Sequence, residues 1–73
     1  MMEKVFQINQ SDLEGAKNIG DEEWLESTFG KAAQIIERGG KVNIMQQFSD
    51  GSKELTAIID TIEMLDYYKR KYL

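Results

Sequence analysis

The sequence predicts a small α+β domain, a two-layer sandwich in which helices cover one face of a three-stranded sheet. Three observations predict this class: an alternating stretch near the N-terminus, a helical apolar repeat in the middle, and two alternating stretches around an Asp-Gly pair. The expected element order is β-α-β-β-α. We expect one domain, residues 1–73, because the chain is too short for two cores of the usual size of about 100–150 residues.

The first strand is predicted at residues 4–9, where large apolar residues recur at every second position. Residues 10–20 contain two glycines and several turn-forming polar residues. Ser11 followed by Glu14 is a capping-box pattern, which favours the start of a helical turn. We therefore expect a loop over residues 10–20 that holds at most one short turn.

A long helix is predicted to begin at the acidic residues 21–23, since carboxylates in a first turn complement the positive end of the helix dipole. Its apolar residues recur at i, i+4, i+7 and i+11 and form one stripe: Leu25, Phe29, Ala32 and Ile36. Gly39 suits the left-handed position that follows a last turn. Gly30 inside the helix costs about 1 kcal/mol relative to Ala, and we expect it there because another backbone passes close by.

A hairpin is predicted around Asp50-Gly51, the favoured pair of a two-residue type I′ turn. With that loop, Ser49 pairs with Ser52, and the register follows from the turn. The face predicted to point inward carries Val42, Ile44, Leu55, Ala57 and Ile59. The face predicted to point outward carries Asn43, Met45, Gln47, Glu54, Thr56 and Ile58.

The last helix is predicted to follow Asp60, with Glu63 completing a capping box. Its inward stripe is expected at Ile62, Leu65, Tyr68 and Tyr72. Because sheet connections over a helix are right-handed, the first strand is expected to run parallel to a hairpin strand. Both helices then cover the inward face of the hairpin.

The composition argues against an enzyme. The chain has no His, the side chain that titrates near neutrality, and no Cys, so thiolate catalysis and the common zinc sites are excluded. A pair of carboxylates in a cleft is the one catalytic arrangement left, and a domain this small rarely encloses a cleft.

The glycines form no phosphate-binding motif and Asp50-Gly51 lacks calcium-loop spacing, so we expect no cofactor and no metal. No transmembrane run or signal-peptide pattern is present, and we expect a cytoplasmic protein without membrane contact.

The sheet face turned away from the helices is the first candidate surface for a protein partner. Met45 and Ile58 are expected to be diagonal neighbours there, and with Val5 they would form an apolar patch of the kind that marks interfaces. Gln47 and Thr56 complete this candidate surface. Since small domains gain most from association, we also expect a weak homodimer through this face.

The acidic start of the long helix is the second candidate surface. Residues 12–26 hold six carboxylates and one Lys, a local charge of −5. Complementation of the helix dipole accounts for acids at a helix start, and docking of a basic protein partner is the functional reading. The candidate residues are Asp21, Glu22, Glu23 and Glu26.

The basic end of the last helix suggests a different class of function, a nucleic-acid-associated module. Its candidate contacts mix aromatic and basic side chains, as single-strand binding surfaces do: Tyr67, Lys69, Arg70 and Lys71. The formal charge of 9 − 13 = −4 repels phosphates, so we expect nucleic acid not to be the partner.

The preferred function is therefore a non-enzymatic protein-interaction domain, a regulator, adaptor or inhibitor of bacterial or phage type. It would use the sheet face or the acidic helix start. Salt separates this function from the alternative, because nucleic-acid affinity falls steeply with salt whereas an apolar interface barely responds.

Overall fold

The computed structural model describes residues 4–73 and confirms the α+β class. Buried residues from all three helices share one core with buried residues from one face of the sheet, so the domain has two layers. The elements in chain order are β1 (Val5–Asn9), α1 (Gln10–Ile19), α2 (Glu22–Glu37), β2 (Lys41–Gln47), β3 (Lys53–Ile59) and α3 (Ile62–Tyr72).

The sheet has the strand order β1-β2-β3, with β2 in the centre. β1 runs parallel to β2, and β2 runs antiparallel to β3, as the right-handed crossover and the hairpin predict. The chain between β1 and β2 contains both α1 and α2, and both helices pack on the strands. This connection leaves β1 and β3 as the two edges of the sheet.

The segment predicted to be a loop over residues 10–20 is instead the helix α1, so the prediction was wrong and the order is β-α-α-β-β-α. Leu13 is fully buried in the core, and burying such a side chain stabilises by about 1.5–3 kcal/mol. That exceeds the cost of about 1 kcal/mol for Gly15 in the helix. Gly20 ends α1 in the left-handed conformation with φ 73°. Tertiary packing therefore overrides the glycine content of this segment.

The long helix α2 forms as predicted, with its apolar stripe buried. Its N-cap is Asp21, whose Oδ1 accepts a hydrogen bond of 3.1 Å from the Trp24 N–H. At its end, the Gly39 N–H donates to the Ile36 carbonyl and the Gly40 N–H donates to the Ile35 carbonyl. Gly39 has φ 84°, so the predicted left-handed glycine is confirmed as part of a Schellman motif.

The predicted reason for Gly30 is wrong, because nothing lies within 4 Å of the position that its Cβ would occupy. The close approach occurs at Gly40 instead. A Cβ there would lie 2.5 Å from the Lys4 carbonyl oxygen and 2.7 Å from Cγ2 of Ile35. Gly40 therefore lets the start of β2 pass between β1 and the end of α2.

The hairpin turn has a different geometry from the predicted type I′ turn. That turn needs positive φ at both central residues, and no described residue other than glycine has it. The Gly51 N–H donates to the Phe48 carbonyl at 3.0 Å, and the Phe48 N–H donates to the Ser52 carbonyl at 2.9 Å. With Gly51 at φ 88°, residues 49–51 form a three-residue loop of the kind that ends in a left-handed glycine bulge.

The third loop residue shifts the hairpin register by one near the turn, and a bulge shifts it back. Met45 lies opposite Leu55, and the next pair is Ile44 with Ala57, so Thr56 is the extra residue. A hairpin in which Ser49 pairs with Ser52 also pairs Ile44 with Ala57, and that pair is confirmed. The inward orientation predicted for Leu55 and the outward orientation predicted for Glu54 are both wrong, because the shifted register places Glu54 opposite Gln46. Leu55 shares the outward face with Met45.

The start of α3 is also shifted by one residue from the prediction. Thr61, not Asp60, is the N-cap, and its Oγ1 accepts a hydrogen bond of 3.2 Å from the Met64 N–H. Leu65 is buried, and Tyr68 and Tyr72 pack on the core as predicted. Ile62 of the predicted stripe is largely exposed. The inward side of α3 therefore begins one turn later than expected.

Alanine should have opposite effects on stability at Gly30, which lies inside α2, and at Gly40, which follows the end of α2. Gly30→Ala should raise the free energy of unfolding by about 0.5–1 kcal/mol, because the site is open and helical. Gly40→Ala should lower it by about 1–3 kcal/mol, because its Cβ meets backbone. Urea unfolding of both variants checks this, and equal effects would contradict the assigned packing.

The carboxyl group of Asp50, in the hairpin loop, makes the stability of the fold depend on pH. Hydrogen bonds from the Ser52 hydroxyl at 2.6 Å and the Ser52 N–H at 2.9 Å lower the pKa of Asp50 below its ordinary value of 3.8. The unfolded chain then binds this proton more tightly, so the interaction stabilises the fold above the ordinary pKa and is lost as pH falls through the lowered one. Ser52→Ala should raise the pKa of Asp50 in a carboxyl NMR titration. Ser49→Ala, in the same loop, should leave it unchanged.

Candidate protein interface

The outer face of the sheet is the side of its strands that points away from the helices. Side chains alternate along a strand, so the outward residues follow from the buried ones and from the pairing. Among the described residues, this outer face consists of Val5, Gln7, Asn9, Lys41, Asn43, Met45, Gln47, Lys53, Leu55 and Ile58.

Three apolar side chains of the outer face are neighbours on β2 and β3. Met45 lies directly opposite Leu55, and Ile58 lies opposite Asn43, one diagonal step from Met45. Leu55 is 45% exposed and Ile58 is 44% exposed. We call Met45, Leu55 and Ile58 the apolar cluster.

The apolar cluster differs from the predicted patch in two members. Val5 pairs with Lys41 at the far end of β1, so it lies in a separate corner of the outer face. Leu55 takes its place beside Met45. The sequence signal that could have placed Leu55 outward is the five-residue span between Gln47 and Lys53, which also fits a longer loop.

The other two predicted residues of this surface have different surroundings. Gln47 pairs with Lys53 next to the hairpin loop and is exposed. The Thr56 hydroxyl donates a hydrogen bond of 2.9 Å to the Ile44 carbonyl, so it is committed to holding the bulge. Of the predicted sheet residues, Met45 and Ile58 are brought together, Gln47 lies at the rim, and Thr56 supports the register.

Asn43 lies in the middle of the outer face, on the central strand. Its Oδ1 is shielded from solvent and has no hydrogen-bond partner among residues 4–73. Leaving such an acceptor unpaired costs about 1–3 kcal/mol. The outer face therefore contains an energetically unfavourable polar group beside its apolar cluster.

The charges of the described residues divide by layer. The outer face carries two lysines, Lys41 and Lys53, and no carboxylate. The described carboxylates lie on the helices, in the hairpin loop, at the turns beside the helices and, for Glu54, on the inward side of β3 next to the hairpin loop. The outer face is therefore locally basic in a chain whose net charge is −4.

The acidic start of α2 lies in the helical layer, so the two predicted protein-binding surfaces do not form one site. Glu22, Glu23 and Glu26 are exposed, while Asp21 is engaged as the N-cap. Asp21 and Glu23 line an open depression of about 350 Å³ together with Trp24 and Ser27. This depression gives the acidic start of α2 a concave surface.

The basic end of α3 does not form the flat aromatic platform that stacked bases need. The rings of Tyr67 and Tyr68 meet edge to face at 5.8 Å, and the Nζ of Lys71 lies 5.4 Å from both ring centres. Lys69 and Arg70 are exposed. The aromatic and basic side chains of this region therefore interact with one another.

An unpredicted contact ties the end of α3 to α1. The Lys17 Nζ donates a hydrogen bond of 2.7 Å to the Lys71 carbonyl. The same region forms an open depression of about 390 Å³ lined by Glu14, Lys17, Asn18, Lys71 and Tyr72. Partial burial, with the nearby Glu14 carboxylate, raises the pKa of Tyr72 above its ordinary value of 10.0. Its phenol therefore stays neutral at physiological pH.

A groove at the free edge of β1 was also not predicted. It has a volume of about 240 Å³ and runs between four consecutive residues of β1 and the side of α2. Its lining consists of Phe6, Gln7, Ile8, Asn9, Asp12, Trp24, Thr28 and Lys31. We call it the β1-edge groove.

Residues 4–73 contain no group of three His, Cys, Asp or Glu side chains arranged to hold a metal ion. In the same part of the chain, no helix has the length and apolar character needed to cross a membrane.

Comparison with protein-family models, with curated proteins and with solved structures gave no match. Function is therefore inferred from the surfaces themselves.

Removing the unpaired acceptor of Asn43 should stabilise the domain. Asn43→Val places a β-branched residue in the central strand and eliminates the shielded Oδ1, so the free energy of unfolding should rise by about 1–2 kcal/mol. Gln7→Val, an exposed neighbour on β1, is the control for β-propensity alone and should change stability less. If urea unfolding showed equal gains in stability for the two variants, the unpaired Oδ1 of Asn43 would not destabilise the domain.

Proposed function

We propose that the chain is a small, non-enzymatic protein-interaction domain that binds a protein partner through the outer face of its sheet. The observation that carries this proposal is the apolar cluster, which is exposed on a face that no helix of residues 4–73 covers. Contiguous exposed apolar side chains with a polar surround are typical of interfaces. A regulator, adaptor or inhibitor of bacterial or phage type, acting in the cytoplasm, fits a domain of 73 residues without His or Cys.

The occupant that the outer face fits best is a second copy of the chain. The three strands are about 4.8 Å apart and rise about 3.3 Å per residue, with five residues in β1 and seven in each of β2 and β3, so they offer a surface of at most roughly 14 Å by 23 Å. This supplies roughly 300–500 Å² per copy, below the about 800 Å² per partner of a standard stable interface. The dimer should therefore be weak, with a dissociation constant in the micromolar range or above.

The lysines of the outer face set the salt dependence of this dimer. A two-fold axis brings the copies of the exposed Lys53 to the same interface, where they repel. Salt screens this repulsion over a distance of about 10 Å at 0.1 M. Association through the outer face should therefore hold or strengthen as salt is added.

The alternative function, nucleic-acid binding by the end of α3, has the opposite salt dependence. Each phosphate contact releases counterions, so affinity falls steeply as salt rises. The contacts of Lys71 with both tyrosine rings also leave no open stacking platform at this end. The acidic start of α2, as a docking surface for a basic partner, is the second protein-binding candidate because Asp21 and Glu23 border a depression.

A charge in the apolar cluster tests the dimer. Ile58→Lys should raise the dissociation constant of the dimer by at least about tenfold, because it places a third positive charge per copy against the partner. Ile19→Lys is the matched control: it makes the same chemical change at an isoleucine that is 79% exposed on α1, in the other layer. Sedimentation equilibrium of the parent and both variants measures the effect.

Three outcomes would contradict the proposal. The parent chain could remain monomeric at about millimolar concentration, Ile58→Lys could unfold the domain, or Ile19→Lys could weaken association as much as Ile58→Lys. Circular dichroism on the same samples separates unfolding from dissociation. With a monomeric parent, the depression at the start of α2 becomes the leading surface.

A further inference from the structure

The β1-edge groove combines an open strand edge with Thr28, whose hydroxyl has no hydrogen-bond partner among the described residues. β1 pairs only with β2 among the described residues, so its other side is an edge. Four consecutive residues of β1 line the groove, which is possible only where the strand is seen edge-on. An edge strand presents unpaired backbone groups that an extended chain can join.

The hydrogen-bond phase of β1 shows which backbone groups are free. The Lys41 N–H donates to the Lys4 carbonyl at 2.9 Å. In a parallel ladder, the residues whose backbone groups face the neighbouring strand alternate, so Phe6 and Ile8 also face β2. The N–H and carbonyl groups of Val5 and Gln7 therefore point to the free edge.

The wall of the groove opposite β1 is formed by α2. Thr28 is only 8% exposed, yet its hydroxyl has no hydrogen-bond partner among residues 4–73 and is not sealed from solvent. Thr28 lines the groove, so a strand that adds to β1 passes beside its side chain. A hydroxyl that has no protein partner is available to hydrogen-bond such a strand in place of water.

Trp24 stands between the groove and the acidic depression and lines both. It is 37% exposed, and Asp21 and Glu23 lie on its other side. An aromatic face next to carboxylates attracts a cation through both its quadrupole and the nearby negative charge. Trp and cation pairs of this kind are frequent at the energetic centres of interfaces.

We propose that the β1-edge groove binds an extended peptide segment that carries an Arg or Lys. The segment adds to β1 as a fourth strand through the backbone of Val5 and Gln7 and hydrogen-bonds the Thr28 hydroxyl. Its cationic side chain lies over Trp24, close to Glu23. This site uses none of the apolar cluster, so it stands or falls independently of the proposed dimer.

Trp24 is the only tryptophan of the chain, so its own fluorescence reports occupancy. The probe is the capped peptide acetyl-Thr-Val-Arg-Val-Thr-amide, which contains no aromatic residue. We expect a saturable change in Trp24 emission, together with shifts of the amide NMR signals of Val5 and Gln7. The same peptide with Glu in place of Arg should bind at least about tenfold more weakly, because it meets the carboxylates with a like charge. The same peptide N-methylated at both valines should not bind, because it cannot pair with a strand edge.

Variants locate the contact within the groove. Glu23→Gln should weaken binding of the Arg peptide by about two- to fivefold, since the carboxylate is exposed. Thr28→Val should weaken it by a similar factor while preserving side-chain volume. Glu63→Gln, which neutralises an exposed acid in the first turn of α3, should leave binding unchanged. Ile58→Lys should bind the peptide as the parent does, whatever its effect on self-association.

The proposal is overturned if neither fluorescence nor the amide signals show saturation up to about 1 mM peptide. It is also overturned if the Glu peptide binds equally well, which removes the cation site, or if N-methylation has no effect, which removes strand addition. Loss of peptide binding in Ile58→Lys, with the fold intact, would move the site to the outer face.

Discussion

The structure depends on one constraint: three helices and three strands provide enough apolar surface to cover only one face of the sheet. Leu13, Phe29 and Leu65, one from each helix, close over the inward residues of β2 and β3 in a single core. A domain of this size buries only about 60% of the surface that its unfolded chain exposes. Within residues 4–73, the packing that makes the fold stable therefore leaves the outer face and the β1 edge uncovered, and both candidate surfaces follow from it.

The sequence predicted the class, the long helix and the parallel pairing of the first strand with one strand of the hairpin, because these follow from strong periodic patterns and right-handed connections. It missed α1, since the burial of Leu13 and Ala16 outweighs local glycine propensity and is not visible locally. It also missed the paired irregularities of the hairpin. The extra loop residue and the bulge at Thr56 cancel, so Val42 still meets Ile59 although half of β3 has rotated. Alternation alone cannot detect two shifts that sum to zero.

The same cancellation explains why the candidate interface was only half predictable. Met45 and Ile58 point outward both in the predicted register and in the structure. Leu55 lies between the loop and the bulge, where the register is shifted by one residue, so it points outward and not inward as predicted. The β1-edge groove could not be predicted, because it arises from the distance between a strand edge and α2, which no local pattern encodes. Trp24 is the available sequence signal, because it is a large aromatic residue beside Leu25 of the apolar stripe and four residues before Thr28, and both Trp24 and Thr28 line the groove.

The division of charge between the layers bears on whether so acidic a chain can associate at all. A net charge of −4 on each copy opposes self-association, and a close approach of two acidic surfaces would be prohibitive. A sheet-to-sheet dimer keeps the two helical layers, which carry most of the described carboxylates, on opposite outer sides. Sheets that pack face to face are about 10 Å apart, so a helical layer behind each sheet lies well beyond the Debye length of about 8 Å at physiological salt. The repulsion that remains is that of the lysines on the outer face, while the exposed acids beside Trp24 stay free to attract a basic segment.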